Sequence, residues 1–240
     1  MPISSIEPTR LYRRIAEQLR ALIVGGEYAA GTRLPPERDL AVQLGVSRPS
    51  VREALIALEV EGYVEIRIGS GIYARKPDTL NVGPALTQEE GPLELIRARA
   101  VIEPEIAAQA ALNIKRGQLD GLGKAIALME EDAAAGRIPT AGDRQFHVRI
   151  ADAAGNGVLV SVTGQLFDGR ANPIFTKLAL YFENPKSWAA AIGEHRQVLD
   201  ALAARDPDVA RDAMRHHIQM SHKRFSAGWP KAQRKNGNGL

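Results

Sequence analysis

Three histidines, His147, His195 and His217, each stand at the middle of an apolar stripe on a predicted helix, and Asp143 lies one turn before the first of them. Around His147 the helical neighbours are Asp143, Ile150, Ala151 and Ala154. Around His195 they are Trp188, Ala191, Leu199 and Leu202, and around His217 they are Ala210, Ala213, Met214 and Ser221. His216 and His222 have no such surroundings. A single inward histidine is usually a hydrogen-bonded core residue. Three of them from three helices, with one carboxylate, make a donor set for a divalent metal of borderline softness: zinc first, with nickel, manganese or iron also suited. Such a site keeps positions open for water or a ligand. The same set would also describe a hydrolytic centre. Against that, no Glu adjoins His147 or His217, and Glu194, beside His195, falls on a different helical face. On residues alone, core packing, a metal site and a metal-dependent hydrolase all stay open.

A second constellation lies in "SRPSVRE", residues 47 to 53. Ser47 is a good helix cap, Pro49 fits the first turn, and Arg48 and Arg52 are four apart on one helical face. Arginine reads guanine bidentately and grips phosphate, and the free N–H groups of a helix start favour an anion. Both arginines are therefore expected to face nucleic acid. Val51, Leu55, Leu58 and Val60 turn to the core, and Ala54 permits close approach of the preceding helix. Arg38, on that helix, could reach a phosphate. Downstream, Arg67, Gly69, Ser70 and Gly71 form a hairpin tip that can lie against a minor groove because glycine offers no Cβ to obstruct it. Arginines at this spacing are often only a solvated surface. Here they coincide with a glycine turn, a cap and a hairpin, which favours double-stranded DNA as partner.

The elements that must position these residues follow from periodicity. "TRLYRRIAEQLRALIV", residues 9 to 24, repeats apolar side chains at helical spacing, and "GGEYAAGTRLPP" breaks it. A short helix from Pro36 to about Leu44, a turn at Gly45 to Ser47 and a second helix to about Glu59 form a helix-turn-helix. "YVEIRI" and "GIYAR" form the hairpin, completing a winged helix-turn-helix over residues 1–75. Residues 76–92 read as a linker. Residues 93–226 read as an all-α antiparallel bundle with breaks near Gly117, Gly136 to Pro139, Gly155 to Gly157, Asn184 to Pro185 and Pro207. Residues 227–240 are a basic, polar tail expected to be disordered. The fold class expected is thus mostly α.

Bulk composition permits this and narrows the function. The chain has 240 residues, enough for two domains, and a net charge of only +3, so bulk charge argues for no partner. Residues 1 to 75 hold ten Arg against nine acidic side chains, and only their local placement is informative. There is no cysteine, which removes disulfides, thiolate zinc sites and cysteine nucleophiles together. No apolar run approaches the length of a membrane span, and the start shows no secretory pattern, so no membrane association and a cytoplasmic location are expected.

"GTRLPPERDLAVQLGVSRPSVREALIALEVEGYVEIRIGSGIYA" resembles the DNA-binding domain of the GntR family of bacterial transcription regulators. The resemblance covers nearly all of residues 8 to 75. It implies DNA contacts at Arg38, Ser47, Arg48, Ser50, Arg52 and Gly69. Pro36 departs from the family, where Ser commonly caps this helix, although Pro also opens helices well. "RAVIEPEIAAQAA", "DRQFHVRIADAAGN", "EHRQVLDALAARD" and "AMRHHI" resemble the FCD-type ligand-binding domain of the FadR subgroup, over about residues 92 to 225. That resemblance implies metal ligands at Asp143, His147, His195 and His217, in agreement with the helical faces, and an acid-binding arginine at Arg99.

"GPLELIRARAVIEPEIA", "GDRQFHVRIADAAGN" and "GRANPIFTKL" are similar to regulators of hexuronate catabolism, and the last of these would bring Arg170 and Asn172 near the pocket. The resemblance implies a repressor that works as a homodimer on a pseudo-palindromic operator and responds to a small carboxylic acid, a hexuronate or related sugar acid. A regulator that answers to metal alone, with no organic effector, is the alternative.

Overall fold

Ser47 opens the helix that the DNA-binding half is built around. Its Oγ accepts the Ser50 N–H at 3.3 Å, and Pro49 sits in the first turn. The computed structural model describes residues 10–75 and 90–229, so the linker and tail expected at 76–92 and 227–240 lie mostly outside the described residues. Within the first half, α1 spans Leu11–Val24, α2 Glu37–Leu44 and α3 Arg48–Val60. Gly45 ends α2 with φ of 65°, a left-handed backbone that glycine takes without a Cβ clash. That turn sets α2 against α3. Leu19, Leu40, Val51, Ala54, Leu55 and Leu58 are buried and form the core of this half.

The wing pairs β1 (Val64–Arg67) with β2 (Gly71–Ala74) in antiparallel register, Val64 opposite Ala74 and Arg67 opposite Gly71. A third segment joins it. Leu34 N–H donates to the Ile72 carbonyl at 2.8 Å and Gly31 N–H to that of Ala74 at 2.8 Å, with Arg33 bridged to Tyr73. Residues 31 to 34 read from the sequence as a break, and they form no strand of their own: a single β-bridge at Arg33 and these hydrogen bonds lay them along β2. Beneath the wing, Glu59 accepts the backbone N–H of Ile66 at 3.0 Å and so fixes β1 to the end of α3.

The second half contains α4 (Pro92–Asn113), α5 (Arg116–Ala134), α6 (Thr140–Ala153), α7 (Gly157–Asp168), α8 (Pro173–Phe182), α9 (Pro185–Ala204) and α10 (Pro207–Ser226). The chain divides into two compact units. One comprises Met1–Gly91, Pro173–Tyr181 and Gly228–Leu240; the other comprises Pro92–Asn172 and Phe182–Ala227. Most of α8 therefore groups with the wing-bearing unit, where the Tyr181 hydroxyl donates to both Glu59 carboxylate oxygens at 2.9 and 2.7 Å. Burial, with the Glu59 carboxylate beside it, raises the Tyr181 phenol above its ordinary range, so it stays a donor. A turn at Gly169–Ala171 separates α7 from α8, a break not among those expected from the sequence although Asp168, Gly169, Asn172 and Pro173 surround it. Among the described residues no helix is long and apolar enough to cross a membrane.

Inside the helical unit, α4 packs along α10, and α5 against α6 and α9. The α5–α6 approach depends on Gly142. A Cβ there would lie 2.6 Å from Met129 Cγ and 2.8 Å from the Ala125 carbonyl oxygen. One of the two obstructing groups is backbone and cannot swing away. Gly142→Ala is expected to destabilise this unit by about 1–3 kcal/mol through overpacking, read from urea unfolding followed by far-UV circular dichroism.

Candidate metal centre and nucleic-acid interface

Asp143 and His147 come from α6, His195 from α9 and His217 from α10, and their donor atoms all lie within 4.8 Å of one another. All four side chains are buried, and His195 is 0% exposed. His195 Nε2 lies 3.1 Å from Asp143 Oδ1 and 3.2 Å from His147 Nε2, while His147 Nε2 is 3.5 Å from the same carboxylate oxygen. The helical faces read from the sequence are therefore brought to one point.

What turns a cluster into a ligand set is the other nitrogen of each ring. His195 Nδ1 lies 2.7 Å from the Ala191 carbonyl, which can only accept, so Nδ1 carries the proton. His217 Nδ1 donates in the same way to Glu194 Oε2 at 2.9 Å. His147 Nδ1 lies 2.5 Å from Glu103 Oε2, in oblique ion-pair geometry, and Arg99 Nη2 donates to its Nε2 at 3.3 Å. Each ring thus has an acceptor beside its Nδ1; the Nε2 lone pairs of His195 and His217 are left for the centre, while that of His147 is engaged by Arg99. Lone pairs converging beside a carboxylate repel one another until a cation joins them. Acceptors behind the rings are the arrangement that orients histidine on a metal.

The charge states of His195 and His217 agree with this, and that of His147 runs the other way. Burial pushes His195 down and His217 down to about 3, so both are neutral imidazoles at pH 7. Burial is the largest influence on His147 and opposes its charged form, but Glu103 and Asp143 together reverse it and the net shift is upward. Burial would raise the Asp143 carboxyl; Arg170 and the two nearby imidazoles instead hold it well below the usual carboxylate range. The Glu194 carboxyl, despite partial burial, is held at about 2 by His217 and Arg224.

Around the cluster is a small cavity of about 30 Å³, lined by Arg99, Arg170 and Arg224, by Ser187 and Ser221, and by Glu183 and Trp188 among others. Arg170 pairs with Asp143 and stands 3.6 Å from Glu183. Arg99 is buried and donates to Glu103 at 2.6 Å, with its guanidinium 4.0 Å from the Phe167 ring centroid. Of the three expected effector residues, Arg99 and Arg170 line this cavity; Asn172 is buried but does not. Glu103, Glu183, Glu194 and Arg224 were not singled out as site residues. The Arg99/Glu103 pair at i, i+4 within an alanine-rich helix was the one available signal.

In the other unit, the side chains of Arg38, Arg48 and Arg67 are exposed, as are Ser47, Gly69 and Ser70, with Ser50 partly so. Arg52 differs from the expectation that it shares an open face with Arg48. It is 1% exposed and donates to both oxygens of Glu37 at 2.9 Å. Arg48 reaches the same carboxylate at 2.9 Å from the solvent side. The carboxylate at the start of α2 thus draws Arg52 inward, where it fixes α2 against α3.

A winged helix-turn-helix followed by a helical unit with a buried Asp/His₃ pocket defines a class of one-chain, DNA-binding sensors. The family described as bacterial regulatory proteins, gntR family, matches residues 11–74, and the FCD domain family matches residues 94–220. The chain belongs to the GntR family of transcriptional regulators, FadR-like subgroup, with an FCD domain. It is 36% identical over 232 residues to the Uxu operon transcriptional regulator of Escherichia coli K12, covering 92% of this chain and 89% of that protein. It is also 36% identical over 221 residues to the Exu regulon transcriptional regulator of the same strain, covering 89% and 83%. The solved structure of Lar from Listeria monocytogenes, 18% identical, matches with a TM-score of 0.51 over 92% of this chain and 98% of that one, a likeness of fold alone.

Proposed function

We propose that this regulator is a cytoplasmic homodimer, most simply a repressor, whose operator binding is set by a sugar acid of the hexuronate class held at a metal in the helical unit. The observation that carries the reading is the ring geometry: three imidazoles backed at Nδ1 by Ala191, Glu194 and Glu103 and aimed at Asp143. Asp143, His147, His195 and His217 would hold a divalent ion, zinc by preference, which would supply a Lewis-acidic centre for an acid oxygen. Arg99 and Arg170 are placed to take the carboxylate, and Ser187 and Ser221 offer partners for hydroxyls. Kinship to the Uxu and Exu regulators supports a hexuronate. Arg38, Ser47, Arg48, Ser50, Arg67, Gly69 and Ser70 would contact the operator, with Arg52 holding the recognition helix in place.

A cavity of about 30 Å³ has space for no more than a few waters, so an acid must open it. The acid then favours whichever conformation has the larger pocket, and DNA affinity follows that preference. The test is a melting curve against a panel of hexuronates and small hydroxy acids, with and without prior chelation. A true ligand at about 100 times its Kd should add roughly 2.7 kcal/mol, several degrees for a chain of this size. Arg99→Ala strands Glu103 and lowers the starting melting point, so the ligand-induced difference is the readout. Arg99→Lys keeps the charge without the bidentate fork. Both should lose most of the acid-induced shift while retaining metal. A shift from metal alone, with no response to any acid, would make this a metal-responsive regulator instead.

A further inference from the structure

Glu183 stands on the short junction between α8 and α9, and its side chain lines the cavity beside the Asp143/His cluster. The junction is firmly capped. Asn184 accepts the N–H groups of Lys186 and Ser187 at 3.0 and 3.1 Å, while Ser187 Oγ accepts the Asn184 N–H and donates to the Asn184 carbonyl, both at 2.9 Å. This cap fixes the backbone next to Glu183. It also uses the Ser187 proton, so that hydroxyl meets a ligand only as an acceptor.

The arginines of the cavity are matched to carboxylates. Arg99 takes Glu103, Arg224 takes both oxygens of Glu194 at 2.7 and 3.0 Å, and Arg170 pairs with Asp143. Glu183 is not matched in this way. Its side chain is 10% exposed, and its Oε2 accepts the Trp188 indole N–H at 3.2 Å. Its Oε1 has the Arg170 guanidinium at 3.6 Å and, among the described residues, no hydrogen bond. Burial raises the Glu183 carboxyl above the ordinary carboxylate range, and Arg170 offsets this only in part. A carboxylate can accept about four hydrogen bonds, so this one borders the cavity short of donors.

We propose that Glu183 reads the hydroxyl groups of the acid, and that it makes the pocket selective for polyhydroxy monocarboxylates over dicarboxylates of the same length. The inference rests on the acid-sensing reading above and extends it from the acid group to the rest of the ligand. A hydroxyl brings the donor that the buried oxygens lack, and a hydrogen bond to an ionised acceptor is about twice as strong as a neutral one. A second ligand carboxylate at the same place would instead set like charges together in a site of low dielectric. Selectivity thus comes from what Glu183 repels as well as from what it binds.

The experiment is calorimetric titration of the zinc-loaded, full-length chain with D-glucuronate and D-galacturonate, and with the corresponding diacids D-glucarate and galactarate. Wild type should prefer each monoacid by about 100-fold or more. Glu183→Gln, of the same shape without the charge, should bind the monoacids about 10-fold more weakly and the diacids more tightly, so that the preference falls towards parity. Glu183→Asp keeps the charge but draws it back by one methylene. It should lose a similar factor on the monoacids and still reject the diacids. Should Glu183→Gln melt early, Glu183→Asp alone decides, and an unchanged monoacid affinity in it overturns the proposal. So does equal binding of monoacid and diacid by wild type, or a Glu183→Gln variant whose four affinities all change by one factor, as loss of a merely structural contact would produce. A wild type that binds none of the four, with zinc or after chelation, overturns the acid-sensing reading itself and this assignment with it.

Discussion

Glu37→Ala is expected to lower the stability of the DNA-binding unit by about 3–5 kcal/mol, the scale of leaving one partner of a buried ion pair without its counter-charge. The reason is Arg52, which is buried with Glu37 and takes both of its oxygens at 2.9 Å. In the variant, a guanidinium in the α2–α3 interface loses its carboxylate. Urea unfolding of the full chain should show this as an early transition carrying the circular dichroism of the winged unit, separated from that of the helical unit. The double variant Glu37→Leu, Arg52→Met is the informative control. With both charges gone and volume kept, most of the loss should return. If Glu37→Ala unfolds at the wild-type urea concentration, the pair does not set the α2–α3 geometry. Arg52 would then have to be reconsidered as a residue that swings out to DNA.

His195→Ala is expected to abolish metal uptake. His195 is the central donor, 3.1 Å from Asp143 and 3.2 Å from His147, and its ring is fully buried. Wild-type protein stripped with chelator and dialysed against zinc should recover one ion per chain by elemental analysis. Its melting point should rise roughly 5–10 °C when the free ion stands near 100 times Kd. The variant should recover neither. His216→Ala, one residue from a candidate ligand and facing elsewhere, should behave as wild type. An ion retained at full occupancy by His195→Ala would mean that the cluster is a packed core and that any metal sits in another place.

The part of this molecule legible in the sequence is the part that one helix determines alone. A period of 3.6 put His147, His195 and His217 on inward faces, and a cap with a glycine turn located α3. Side chains whose role depends on another element were not legible. Glu194 was set aside because it lies off the His195 face, yet that direction is what lets it reach His217 on α10. Arg52 shares a face with Arg48 by spacing, but Glu37, fifteen residues earlier, draws it inward. The β-bridge at Arg33 is visible only through its partner Tyr73 on β2. The boundary between α7 and α8, by contrast, carries local markers of its own in Asp168, Gly169, Asn172 and Pro173 and is legible without any partner element.

The donor set has one more consequence, for the signals this regulator can hear. All four candidate ligands offer oxygen or nitrogen, and the chain contains no thiol. Peroxide, disulfide exchange and electrophiles that disarm thiolate-held zinc have no sulfur ligand to attack here. Met129 and Met214, the sulfurs within the helical unit's core, are buried. With the zinc proposed above, the pocket should therefore keep its metal through peroxide treatment that strips thiolate-held zinc.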